Sequence, residues 1–265
     1  MTNVISFPGL GLEFNVNRVA FTILDKDIFW YALIILTGFL LGSTFVACKA
    51  KKRGVNPEAI WDIALYGLVF GIIGARLYYV MFDFESVKGS VLNVFKIWEG
   101  GLAIYGGIIA AVITAYVYCK KKELDVLLIF DLCCQGLFIG QSIGRWGNFV
   151  NAEVYGKETE LLWGMSINGA PAVHPLFLYE SLWNLLGLII AVNFANRNKI
   201  DGRVFFFYIL WYSLGRLLLE GMRQTQYILY AVEGIVGISQ IVAAVGIIVG
   251  IVGLVSLSKR AEKTL

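Results

Sequence analysis

Charge is scarce in this chain, and that scarcity decides more than any motif. Asp, Glu, Lys and Arg make up 15% of the 265 residues, against roughly 25% in an ordinary soluble domain, so water is not the main solvent. Histidine is rarer still. His174 stands alone, which excludes a centre built from several imidazoles. The four cysteines, Cys48, Cys119, Cys133 and Cys134, lie within or at the ends of apolar blocks. They have no zinc-type spacing and no partners in polar loops, so a disulfide framework is excluded and they read as small packing residues. No metal and no cofactor is expected. The first 27 residues also lack the basic start, compact apolar core and small-residue cleavage site of a secretory signal, so the N-terminus is expected to be retained.

What is abundant is apolar: 58% of the residues are hydrophobic. They fall in blocks of about 20, the length that crosses roughly 30 Å of hydrocarbon as helix. Such a segment must satisfy its own backbone hydrogen bonds, so the blocks read as helices. Seven are expected, over Phe29 to Cys48, Ala59 to Phe82, Leu102 to Cys119, Asp125 to Gly144, Pro175 to Phe194, Val204 to Met222 and Gly234 to Leu257. The fold class is therefore all-α and polytopic, one integral membrane domain over residues 1–265, with a polar segment at about 145–173 between helices 4 and 5.

Basic residues set the orientation. Lys49, Lys51, Lys52 and Arg53 follow the first block, Lys120 to Lys122 the third, Arg197, Lys199 and Arg203 the fifth, and Lys259, Arg260 and Lys263 the last. The opposite loops hold Arg18, Lys26, Lys88, Lys96, Lys157 and Arg223. The positive-inside rule then puts the C-terminus in the cytoplasm and the N-terminal arm, residues 1–27, outside. Because these cations sit at block ends and not along a stripe, the net charge of +3 speaks of topology, and no nucleic-acid partner is expected.

Three arginines remain inside or at the edge of apolar blocks: Arg76, Arg145 and Arg216. A guanidinium at the centre of a span costs about 2.5 to 3.5 kcal/mol even on a lenient scale, so each must face protein, water or an anion. The three are expected to converge on one outward-opening cavity. Tyr212, Arg216 and Glu220, at i, i+4 and i+8, share a helical face, and an arginine fork suits phosphate oxygens. Among further acids, Asp62 and Glu233 read as terminal, while Asp131 and Glu180 lie deeper, as counter-ions or as tuning groups. Two glycine-rich stretches stand out among the 29 glycines. GGLAIYGG, Gly100 to Gly107, flanks Tyr105 with glycine pairs and is expected to loosen the backbone at a cavity. GRWGNFVNAEVYG, Gly144 to Gly156, concentrates Arg145, Asn148, Asn151 and Glu153 at a membrane exit, a set suited to a polar head group.

That thirteen-residue stretch resembles the pattern of the prolipoprotein diacylglyceryl transferases, Gly-Arg-x-Gly-Asn-Phe-x-Asn-x-Glu-x-x-Gly. It is joined in order by IFWYALIILTGF around Tyr31, GARLYYV around Arg76, WEGGLAIYGG around Tyr105, HPLFLYE from His174 to Glu180, and YSLGRLLLEGMR from Tyr212 to Arg223. The resemblance runs from the first span to the sixth. It implies a transferase of the bacterial inner membrane, acting at the outer leaflet. Such an enzyme moves the diacylglyceryl group of phosphatidylglycerol to the lipobox cysteine of a preprolipoprotein, whose signal-peptide helix enters from the membrane. A thioether forms and glycerol phosphate leaves. By motif position, Arg145 and Asn148 belong to the head-group site, Arg216 and Tyr212 to the catalytic cavity, and Tyr31, Glu153 and Gly156 to further functional positions.

One departure matters: many members carry histidine between the glycine pairs, where this chain has Tyr105. Proton removal from the thiol is therefore assigned to Tyr105 or His174, alongside Arg145 and Arg216 as the catalytic set. Tyr31, Arg76, Asn148, Glu153, Gly156, Tyr212 and Glu220, with Arg145, form the expected phosphatidylglycerol site. The rival reading is a transporter or channel for an anionic solute, since intramembrane arginines and glycine-broken helices occur there too. A structural or assembly subunit is the third.

Overall fold

The computed structural model describes residues 2–83, 95–197, 200–232 and 235–264. Lys88, Lys199, Glu233 and Gly234, named above, lie outside the described residues. Seven α-helices are present among the described residues: α1 (Trp30–Lys52), α2 (Pro57–Phe82), α3 (Ile104–Lys121), α4 (Val126–Asn151), α5 (Leu176–Arg197), α6 (Arg203–Glu220) and α7 (Ile238–Thr264). Five of them, α1, α2, α4, α5 and α7, are long and apolar enough to cross a membrane. The other two reach 18 residues each, about 27 Å of helix. Of these, α3 ends on Lys120 and Lys121, while α6 carries Arg203, Arg216 and Glu220. The helices expose large apolar side chains such as Leu65, Phe70, Ile248 and Val252, which suits a hydrocarbon surround.

The all-α expectation misses the strands. Strands β1 (Thr2–Phe7), β2 (Leu12–Asn17), β3 (Val19–Ile23) and β4 (Lys26–Phe29) precede α1. Later come β5 (Ser166–Ile167), β6 (Tyr230–Val232) and β7 (Val236–Gly237). β1 lies between β2 and β5, antiparallel to both. The physical reason is a period-2 alternation in TNVISF that turns Ile5 and Phe7 to one face. There they join Met165, Val173 and Phe177 in a buried cluster, so the N-terminal arm is stitched to the polar segment.

The chain divides into two compact units, residues 1–44 with 130–265, and residues 45–129. In the second unit Asn56 caps α2 by accepting from Glu58 N–H at 3.0 Å, with Pro57 at the first helical position. α2 and α3 meet through glycines. A Cβ on Gly74 would lie 2.8 Å from Gly106 O, and one on Gly106 would strike Tyr78 Cβ and Gly74 O. Gly106 thus belongs to a tight helix contact; the second glycine pair of GGLAIYGG does not loosen the backbone as expected. The first pair does, with φ of 92° at Gly100 and 68° at Gly101.

In the first unit, Gly246, Gly250 and Gly253 of α7 receive Ser213, Leu210 and Phe206 of α6. Phe138, Ala191 and Val204 bury a core shared by α4, α5 and α6. Asp131, on α4, caps α6 across space: its carboxylate accepts from Gly202 N–H at 2.8 Å and Phe205 N–H at 2.7 Å. Those are orphan donors of a helix start, where negative charge is favoured. Asp131 is therefore a helix cap, a role beyond the two expected of it, counter-ion or tuning group.

Candidate phosphate site among three guanidinium groups

Three helix ends meet in the first unit: the last turns of α4, the first two turns of α5 and the C-terminus of α6. α4 runs to Asn151, seven residues beyond the expected end at Gly144, so Arg145 and Asn148 are helical and not in a loop. The reason is packing. Gly147 is buried, and a Cβ there would come within 2.7 Å of the Tyr31 ring, so its missing side chain lets the first turn of α1 lie against α4. Arg18 closes that helix end by donating to Asn151 O at 2.5 Å.

Glu180, at the start of the second turn of α5, collects the cations. Arg145 Nε lies 2.6 Å from Glu180 Oε2, Arg223 NH2 2.9 Å from Oε1 and Arg216 NH1 3.9 Å from Oε1. Arg216 also reaches Glu220 Oε2 at 3.0 Å, Arg223 Nε stands 3.7 Å from the same oxygen, and Ser239 Oγ donates to Glu220 Oε1. Glu220, at 2% exposure, is among the deepest charges. Three guanidinium groups face two carboxylates, which leaves one excess positive charge. Burial, then the neighbouring Arg216, pull the Arg223 pKa below its ordinary value, opposed by Glu180 and Glu220.

A narrow cleft with an accessible volume of about 20 Å³ opens beside this cluster, lined by Arg145, Glu180, Trp183, Asn184, Tyr212, Gly215, Arg216 and Leu219. The side chains of Arg145 and Arg216 remain 23% and 22% exposed. The carboxylates orient both guanidinium groups, and the exposure that remains leaves the two side chains within reach of an incoming anion.

Of the sequence-predicted residues, Arg145, Arg216 and Tyr212 line the cavity, and Glu220 braces it. Asn148 and Glu153 bond each other instead, Nδ2 to Oε1 at 3.0 Å and Glu153 N–H to Asn148 O at 3.0 Å. They fix the turn that leaves α4. Gly156 pairs with Arg223 across an antiparallel bridge and donates its N–H to His174 O at 2.9 Å. A Cβ on it would sit 2.6 Å from His174 Cβ and 2.9 Å from Met222 O, so the polar segment depends on glycine there to reach the end of α6. The His174 ring faces Tyr179 Oη at 3.4 Å, outside the cavity lining.

Arg76 and Tyr105 belong to the second unit. Arg76 NH1 donates to Gly100 O at 2.9 Å and Gly101 O at 3.1 Å, with its guanidinium 5.6 Å from the Tyr79 ring centre. Ala103 N–H donates to Ala75 O at 3.0 Å. Arg76 thus pins the backbone that opens α3, whose first turn carries Tyr105.

Sequence reasoning missed three members of the site. Arg223 was counted among outer-loop cations, although its i+3 spacing from Glu220 was a signal. Asn184 and Trp183 passed as span residues, although Asn184 stands one turn from Glu180 in an otherwise apolar block.

The sequence is similar to known proteins. A sequence model of the prolipoprotein diacylglyceryl transferase family matches residues 18–256. A protein of Finegoldia magna named phosphatidylglycerol–prolipoprotein diacylglyceryl transferase is 42% identical over 233 residues, 87% of this chain and 94% of the relative. Proteins of the same name from Clostridioides difficile and Streptococcus pyogenes are 36% and 38% identical, over 94% and 88% of this chain and 99% and 92% of theirs. The chain belongs to the prolipoprotein diacylglyceryl transferase family.

Proposed function

We propose that this chain transfers the diacylglyceryl group of phosphatidylglycerol to the cysteine thiol of a prolipoprotein. The observation that carries the reading is the trio Arg145, Arg216 and Arg223 around Glu180, beside a cavity. Sulfur attacks the glycerol carbon that bears the phosphate, an S–C bond forms, the C–O bond to phosphate breaks, and glycerol phosphate leaves with the electron pair. The thiol proton goes to a base. Negative charge concentrates on the departing phosphate, where preorganised guanidinium groups stabilise the transition state more than the ground state. The same field favours the thiolate of a cysteine whose ordinary pKa is near 8.5.

In this mechanism Arg145 and Arg216 grip the phosphate. Tyr212 lines the same cavity, and Glu220 orients Arg216. Asn148, Glu153 and Gly156 act through the backbone they hold, Tyr31 through α4, and Arg76 through the entrance to α3. Tyr105 and His174 are the two candidates for the base. The protein acts as one membrane domain crossing the inner membrane seven times, α3 and α6 included, with the strands outside and the C-terminus in the cytoplasm. The basic ends of α1, α3, α5 and α7 support this orientation. It puts the cluster toward the outer leaflet, where a lipobox cysteine on a signal-peptide helix is presented.

Purified protein in phosphatidylglycerol vesicles with a lipobox peptide tests the reading. Thioether product formed without any ion gradient is expected. Solute flux with no product would overturn it in favour of a transporter.

A further inference from the structure

The cavity offers mostly donors to a ligand, since guanidinium groups cannot accept hydrogen bonds. One group of the opposite kind lines it. Asn184 is 3% exposed and sits one turn along α5 from Glu180. Its Nδ2 donates to Glu180 O at 2.8 Å. A backbone carbonyl can only accept, so this bond fixes which way the amide faces and leaves Oδ1 as the remaining polar atom. Oδ1 is buried and has no hydrogen-bond partner. A buried acceptor left unmade is costly, and Asn184 lines the cavity of the proposed phosphate site.

We propose that Asn184 Oδ1 accepts a hydrogen bond from a hydroxyl on the head group of the bound phospholipid, making Asn184 a specificity-determining residue. This deepens, and rests on, the transfer reading above. Phosphate oxygens and acyl ester carbonyls are acceptors and cannot satisfy Oδ1. An ammonium head group can donate, but it would enter a cluster already carrying excess positive charge. A neutral hydroxyl close to a phosphate meets both conditions. The i, i+4 spacing sets Asn184 roughly 5–6 Å from Glu180 between Cβ atoms, within the span of a three-carbon head group beyond its phosphate.

The test compares kcat/KM of the full-length protein in phosphatidylcholine vesicles that contain either phosphatidylglycerol or phosphatidylpropanol, which lacks the head-group hydroxyls. The wild type is expected to favour phosphatidylglycerol at least about tenfold. Asn184→Leu and Asn184→Ala are expected to lose that preference, the ratio of kcat/KM on phosphatidylglycerol to that on phosphatidylpropanol falling toward one. Equal use of the two lipids by the wild type would overturn the proposal whether or not the variants insert, as would a preference that survives either substitution. No product from the wild type on either lipid would overturn the transfer reading, and this inference with it.

Discussion

Trp183 on α5 and Trp211 on α6 stack with ring centres 4.4 Å apart, and each donates its indole N–H to the other's backbone carbonyl at 3.0 Å. The exchange is symmetric down to its glycines. A Cβ on Gly187 would lie 2.6 Å from the Trp211 ring, and one on Gly215 would strike Trp183. This clasp fixes α5 against α6 one turn from Glu180 and Arg216, and so sets the geometry of the guanidinium cluster.

Gly215→Ala should therefore displace Trp183 and destabilise the protein by about 1–3 kcal/mol, the usual range for overpacking. Thermal unfolding in detergent measures it. Activity should fall with it, because the same shift moves Arg216. An unchanged melting temperature would show that the clasp is slack.

Glu180→Gln removes the carboxylate shared by Arg145, Arg216 and Arg223. Breaking a buried pair and leaving its partner charged costs about 3–5 kcal/mol. The expected result is a sharp loss of stability together with turnover lowered at least about a hundredfold, since Arg145 loses its orienting partner. Stability lost with turnover kept would make Glu180 a purely structural counter-ion.

Gly156→Ala places a methyl group where His174 Cβ and Met222 O leave no room. The bridge to Arg223 should open, and Arg223 should leave Glu180. Limited proteolysis of the segment from 152 to 173, faster in the variant than in the wild type, is the expected readout, with turnover reduced in parallel.

The two base candidates separate by substitution. Because the His174 ring faces Tyr179 and not the cavity lining, His174→Gln should keep turnover within about threefold of wild type, whereas Tyr105→Phe should lower it by the 10²–10⁴ typical of a proton-transferring group. Unchanged turnover in both leaves the thiolate to the arginine field alone.

The helices were legible because apolar blocks of spanning length admit one solution in a membrane, and Arg216 and Glu220 were legible because charge in such a block demands a partner. What escaped did so for local reasons. The expected end of α4 at Gly144 falls short because a glycine-rich stretch follows it, yet the helix continues through Gly147, whose bare backbone gives the Tyr31 ring room. Arg223 looked like a loop cation because its partner Glu180 lies 43 residues away in sequence. Asn184 shows only its one-turn spacing from Glu180 in the sequence, and the bond from its Nδ2 to Glu180 O that leaves Oδ1 unpaired belongs to the fold. The strands were missed because the first 29 residues carry little beyond a short alternation.

The central claim is that Arg145 and Arg216 hold a lipid phosphate, and binding tests it without relying on turnover. Phosphatidylglycerol retained by the purified protein should be quantified for wild type, Arg145→Ala and Arg216→Ala, each checked for native melting behaviour. The account predicts at least about a tenfold loss of retained phosphatidylglycerol in both variants, each having given up a charge-assisted contact. Retention equal to wild type in either folded variant would contradict it.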